Sequence, residues 1–127
     1  SNVDCIIVPE QNSAAINSDA MKTSSGALNN IKICRTWNLK MTLQMLKDSG
    51  IQIVSCTEKT NNKIYSVNYQ IPTAIILGSE ENGISSEFLK LSDEKVKIPI
   101  LGNIESLNVS VACGVILYEI VRQRFSL

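Results

Sequence analysis

Ile75-Ile76-Leu77-Gly78-Ser79-Glu80-Glu81-Asn82-Gly83 and Ile98-Pro99-Ile100-Leu101-Gly102-Asn103-Ile104-Glu105-Ser106-Leu107-Asn108-Val109-Ser110 decide how this chain is read. Each begins as an apolar run and breaks into a loop rich in Gly and Asn, and the second loop runs directly into an apolar helix. Short apolar runs bounded by turn residues read as strands of a buried, parallel sheet. In open α/β sheets, ligands bind where loops leave the carboxyl ends of the strands. Two polar loops delivered to one edge of a sheet therefore form a candidate site.

Working outward, Val3 to Val8 is a mostly apolar run ended by Pro9, the pattern of a strand with both faces covered. Residues 10–19 are polar, and 19–28 read as a helix with a weak stripe of Ala20, Thr23, Ala27 and Leu28. Ile31 to Arg35 reads as a second strand. Asn38 then caps an amphipathic helix in which Leu39, Leu43 and Leu46 recur at helical spacing and Gly50 supplies the stop. Ile51 to Cys56 is a third strand, followed by a Lys- and Asn-rich connection over 57–71 in which Ile64 to Val67 read as extended. Thr73 to Leu77 is a fourth strand, Ser86 to Lys90 a short helix with Glu87 in its first turn, and Lys95 to Ile100 a fifth strand. Leu107 to Arg124 is a long helix, apolar on more than one face, as in a helix buried between elements or in a subunit interface. Strands alternating with helices predict an α/β domain, a mostly parallel five-stranded sheet with helices on both faces.

The bulk composition removes several functions. The 127 residues suffice for one domain with its own core. Twelve basic and twelve acidic side chains cancel, so any RNA affinity must come from a local patch, a dimer or a further segment. There is no histidine, which excludes the commonest general base, the Ser-His and Cys-His nucleophile pairs and most zinc sites; no metal is expected. Cys5, Cys34, Cys56 and Cys113 have no C-x-x-C spacing and read as reduced, buried small hydrophobes of a cytosolic protein. No apolar run approaches the roughly 18 residues of a membrane span.

The Gly78-Ser79-Glu80-Glu81-Asn82-Gly83 loop, then Ile98-Pro99 and Ser106-Leu107-Asn108-Val109-Ser110-Val111-Ala112 opening a terminal helix, resembles the SpoU branch of the SPOUT RNA 2'-O-ribose methyltransferases. That family's second motif, G-x-E-x-x-G after a strand, is met by Gly78, Glu80 and Gly83. Its third motif, an I-P pair followed by S-L-N-V-[SA]-x-A, is met by Ile98, Pro99, Ser106, Leu107, Asn108, Val109, Ser110 and Ala112. Val3 to Pro9, Lys22 to Ala27, and Asn38-Leu39 with the helix after them resemble the branch that methylates a guanosine ribose in large-subunit rRNA. The resemblance favours rRNA over tRNA and covers nearly the whole chain.

The resemblance implies a deep trefoil knot at the last helix, a homodimer with cofactor sites near the subunit interface, and S-adenosylmethionine as cofactor. It also implies that the family's first motif, with its catalytic Arg, lies on a strand and helix ahead of Val3. Residues 1–127 are thus expected to be one methyltransferase domain without its first strand and helix, of little turnover alone. Ribose methylation moves a methyl from a sulfonium to a weakly acidic hydroxyl, which must be polarised and aligned in line with the methyl. The resemblance assigns cofactor binding to Gly78, Ile98 and Leu107, and catalytic roles to Glu80, Ser106 and Asn108. Simpler roles stand beside these: the Gly78 to Gly83 stretch as a solvated turn with Asn82-Gly83 left-handed, and Ser106 or Asn108 as a helix cap. Lys59 to Lys63 read as a solvated loop, Arg122 and Arg124 as partners of the helix dipole, and Trp37 as packing.

Overall fold

The computed structural model describes residues 4–9, 32–78, 83–102 and 108–126; the helix expected over 19–28 lies outside them. The chain divides into two compact units, residues 2–42 and 43–127. In the first, strands β1 (Cys5–Pro9) and β2 (Lys32–Thr36) pair in parallel, Ile6 opposite Ile33. Helix α1 (Leu39–Asp48) begins at Asn38, whose Oδ1 accepts from the Met41 amide at 3.0 Å. Its Leu43 is buried, and Gly50 at φ +86° provides the left-handed turn that ends it.

In the second unit, strands β3 (Gln52–Cys56), β4 (Thr73–Leu77) and β5 (Glu94–Val96) form a parallel sheet in the order β4-β3-β5. The expected single five-stranded sheet is therefore corrected to a pair and a triplet. β3 is the central strand of the triplet, pairing with β4 on one edge and β5 on the other. Asp93 sets the register of β5: its amide donates to the Ile53 carbonyl at 2.8 Å and its Oδ2 accepts from the Ile53 amide at 2.7 Å. Helix α2 (Ser86–Leu91) precedes it, capped by Ser85 Oγ.

Two expectations fail locally. Of Ile64 to Val67, expected to be extended, Ile64–Ser66 form a 3₁₀ turn and Val67 alone is extended. Ile64 and Val67, three residues apart, are both buried, and a three-residue repeat brings them onto one side where a strand would put them on opposite faces. The fifth strand ends at Val96 instead of Ile100. Beyond it, the Lys97 amide donates to the Asn62 carbonyl at 2.7 Å and the Lys97 carbonyl accepts from Ile64 at 3.0 Å, which draws the chain off β3.

Helix α3 (Val109–Phe125) closes the unit. Its Ile116 and Ile120 join Val54, Ile64, Val67, Tyr69 and Val96 in the core, each large aliphatic side chain contributing about 1.5–3 kcal/mol by burial. The opposite side does not bury: Val111, Tyr118 and Phe125 are 52%, 63% and 63% exposed. Among the described residues, no helix is long and apolar enough to cross a membrane.

Candidate functional site

The register of the three-stranded sheet builds the site. Cys56, the last residue of β3, pairs with Leu77 on one side and Val96 on the other. The chain therefore leaves β4 at Gly78 and β5 at Lys97 from the same level of the sheet, with one strand between them, about 10 Å apart at the usual strand spacing. Both glycine-rich stretches start at one carboxyl edge, where the connection from β4 to β5 crosses β3.

Gly78 is half-buried, and a Cβ placed on it would lie 2.6 Å from the Ile84 amide nitrogen and 2.7 Å from Gly83 Cα. The loop that leaves at Gly78 thus returns to touch it. Gly83 has φ +65°, the left-handed value expected of that position in a turn. The absence of a side chain at Gly78 leaves room for the Gly83–Ile84 backbone. Ile98 is half-buried against the core cluster, as are Cys56, Ile75 and Leu117. Pro99 and Ile100 are also half-buried, whereas Leu101 is 98% exposed.

Asn108 is the N-cap of α3, its Oδ1 accepting from the Ser110 amide at 2.8 Å. Gly78, Ile98 and Asn108 are thus placed at the ends of β4, β5 and the segment opening α3. Glu80, Ser106 and Leu107 lie outside the described residues.

The four cysteines are free and half-buried, less enclosed than the sequence suggests. Burial pushes the Cys5, Cys56 and Cys113 thiols above their ordinary value, with Cys34 and Glu58 adding to the rise at Cys5 and Cys56 respectively. These three are protonated at neutral pH and are poor nucleophiles. Among the described residues no His, Cys, Asp or Glu set gathers as a metal site would. Trp37 is 78% exposed, so it does not pack as expected.

Sequence reasoning missed two polar groups beside the core. Tyr69 is fully buried, and its hydroxyl makes no hydrogen bond among the described residues. Burial, then the Cys56 and Glu119 neighbours, raises its phenol well above the ordinary range. Glu119 is buried in α3, where Arg122 Nε and Nη2 donate to it at 2.6 and 2.8 Å and Gln123 Nε2 at 2.9 Å. Arg122 thus pairs with Glu119, and Arg124 donates to the Tyr69 and Ile71 carbonyls at 2.8 and 3.2 Å, so the basic end of the helix binds more than its own dipole. Gln123 completes the clasp, accepting from the Tyr69 amide and donating to the Val67 carbonyl. A Glu and Gln spaced at i and i+4 within an apolar helix was the available signal.

A family profile described as the SpoU rRNA Methylase family matches residues 1–118. The chain is 37% identical over 124 residues to the 23S rRNA (guanosine-2'-O-)-methyltransferase RlmB of Yersinia pestis, covering 98% of this chain and 50% of that protein. It is 36% identical to RlmB of Escherichia coli, covering 98% and 51%. The chain spans about half the length of the curated relatives it matches. Among solved structures, the A. aeolicus TrmH/SpoU tRNA modifying enzyme superposes with a TM-score of 0.82 at 33% identity, over 95% of this chain and 62% of that one. The SpoU methyltransferase AviRb of Streptomyces viridochromogenes in complex with AdoMet superposes with a TM-score of 0.85 at 27% identity, over 95% and 50%.

Proposed function

The chain belongs to the SpoU rRNA methylase family, and on that footing we propose that the protein transfers a methyl group from S-adenosylmethionine to a ribose 2'-hydroxyl, with a guanosine of large-subunit rRNA as substrate. The observation that carries the reading is the common exit level of Gly78 and Lys97 on either side of Cys56, which starts both family motifs at one edge of the sheet. The curated relatives named for 23S rRNA favour rRNA. A tRNA guanosine is the second reading, favoured by the likeness to the A. aeolicus tRNA modifying enzyme.

The residues at this edge suit the cofactor. Half-buried Ile98, just beyond the end of β5, offers an apolar wall for a purine. S-adenosylmethionine, when bound, supplies a sulfonium methyl. Gly78 closes the loop against which the cofactor rests, and backbone groups at Ile98 and Leu107 hold it. Glu80, Ser106 and Asn108 orient the substrate ribose, Asn108 while its Oδ1 also holds the first turn of α3. The chain has no histidine to act as general base, and the resemblance to the family implies that an arginine of its first motif polarises the hydroxyl. Residues 1–127 supply a SpoU-type methyltransferase domain that acts on RNA in the cytoplasm.

The protein is a homodimer with a knotted last helix, a topology rare among folds. The dimer is supported by Val111, Val115, Tyr118, Arg122 and Phe125, spaced alternately four and three apart along the exposed side of α3, the pattern of a helix seam. Calorimetry tests the cofactor: S-adenosylhomocysteine binds, while ATP and NAD do not. Tight binding of either nucleotide instead overturns the assignment.

A further inference from the structure

We infer that Lys63, Lys95 and Lys97, with Lys59 beside them, form the surface that carries the phosphate backbone of the RNA substrate. The inference rests on the functional reading above and adds where on this domain the RNA lies. Lys63 and Lys97 are directly paired in a parallel bridge. Paired residues project to the same face of a sheet, and Lys95, two residues before Lys97, shares that face. Val96 between them is fully buried and turned to the core, so the alternation points the lysines away from it.

The segment is held in place by its backbone: Asn62 and Ile64 bond Lys97 at 2.7 and 3.0 Å, and Thr60 Oγ1 donates to the Lys95 carbonyl at 3.4 Å. Lys59, Lys63 and Lys95 are exposed and Lys97 half-buried. The bridge sets two cationic residues side by side on adjacent segments, an arrangement that an anionic partner suits.

Four of the chain's twelve basic side chains gather here, although the chain as a whole is neutral. The acidic residues of the same segments are Glu58 and Glu94, which leave a net positive charge of two. Glu94 falls on the Val96 side of the alternation, and neighbouring Asp93 faces Lys47 at 3.6 Å. Lys97 immediately precedes Ile98, where the chain leaves the sheet toward the third family motif. A ribose presented at that edge has a phosphate on each side, and a row of lysines one residue away neutralises such phosphates. Lysines acting as point charges position the strand without reading its sequence.

The test is K63Q/K97Q in the full protein, with binding to a large-subunit rRNA fragment measured across a salt series. The slope of log affinity against log salt falls by about 1.5–2, affinity at low salt drops severalfold, and K63R/K97R restores both. S-adenosylhomocysteine binding and the unfolding midpoint of K63Q/K97Q stay at wild-type values or, for the midpoint, rise. An unchanged salt slope, in a wild-type protein that methylates the fragment, overturns this surface and leaves the functional reading standing. A wild-type protein that binds S-adenosylhomocysteine but neither binds nor methylates rRNA overturns the reading and the surface with it.

Discussion

Glu119 is a carboxylate inside an apolar helix, and its Arg122 and Gln123 hydrogen bonds outweigh its desolvation, holding its pKa below the ordinary 4.5. A group depressed on folding adds stability above its unfolded pKa and loses it as the pH falls through the folded value. Glu119→Gln therefore narrows its stability gap to wild type below about pH 4.5, read by urea unfolding across pH; parallel curves would contradict this. Gly78 makes a second prediction. Gly78→Ala forces a methyl group into the Gly83–Ile84 backbone and destabilises the domain by about 1–3 kcal/mol. An equilibrium unfolding titration that matches wild type would show that the loop does not close on Gly78. The need for glycine at Gly78 and Gly83 was legible in the spacing of the loop. The reason at Gly78, contact with the loop's own far end, was not, because sequence does not say where a loop returns.

At the scale of elements, most of the fold was readable from periodicity and punctuation. Asn38, Gly50 and the Leu39-Leu43-Leu46 spacing define α1, and Thr73–Leu77 is the fourth strand as expected. The errors fall where a local rule met a tertiary contact: the Asn62 and Ile64 bonds to Lys97 ended β5 early, and the Ile64–Val67 spacing favoured a 3₁₀ turn. Asn108 tests how far the start of the last helix is structural. Asn108→Ser keeps a side-chain oxygen at the cap and holds stability within a few tenths of a kcal/mol, while Asn108→Ala costs about 1 kcal/mol. Both depress methyl transfer at least tenfold if Asn108 also orients substrate; full activity in Asn108→Ser would leave only the cap.

The whole molecule carries two expectations that sequence periodicity alone does not supply, assembly and substrate. Val111, Val115, Tyr118 and Phe125 are exposed along one side of α3, the side proposed to form the dimer seam. Sedimentation of Tyr118→Glu/Phe125→Glu should give a monomer where wild type gives a dimer; a wild-type monomer would refute the interface. The candidate site itself was half legible: two motifs at the ends of two strands could be read, but their common level rests on Cys56 pairing with both Leu77 and Val96. The most direct test is methyl transfer from tritiated S-adenosylmethionine to large-subunit rRNA by the full protein, followed by alkaline hydrolysis and nucleotide analysis. The label should lie in one alkali-resistant dinucleotide, on the 2'-oxygen of a guanosine. Label on a base, or no transfer by protein that binds S-adenosylhomocysteine and rRNA, would contradict the account.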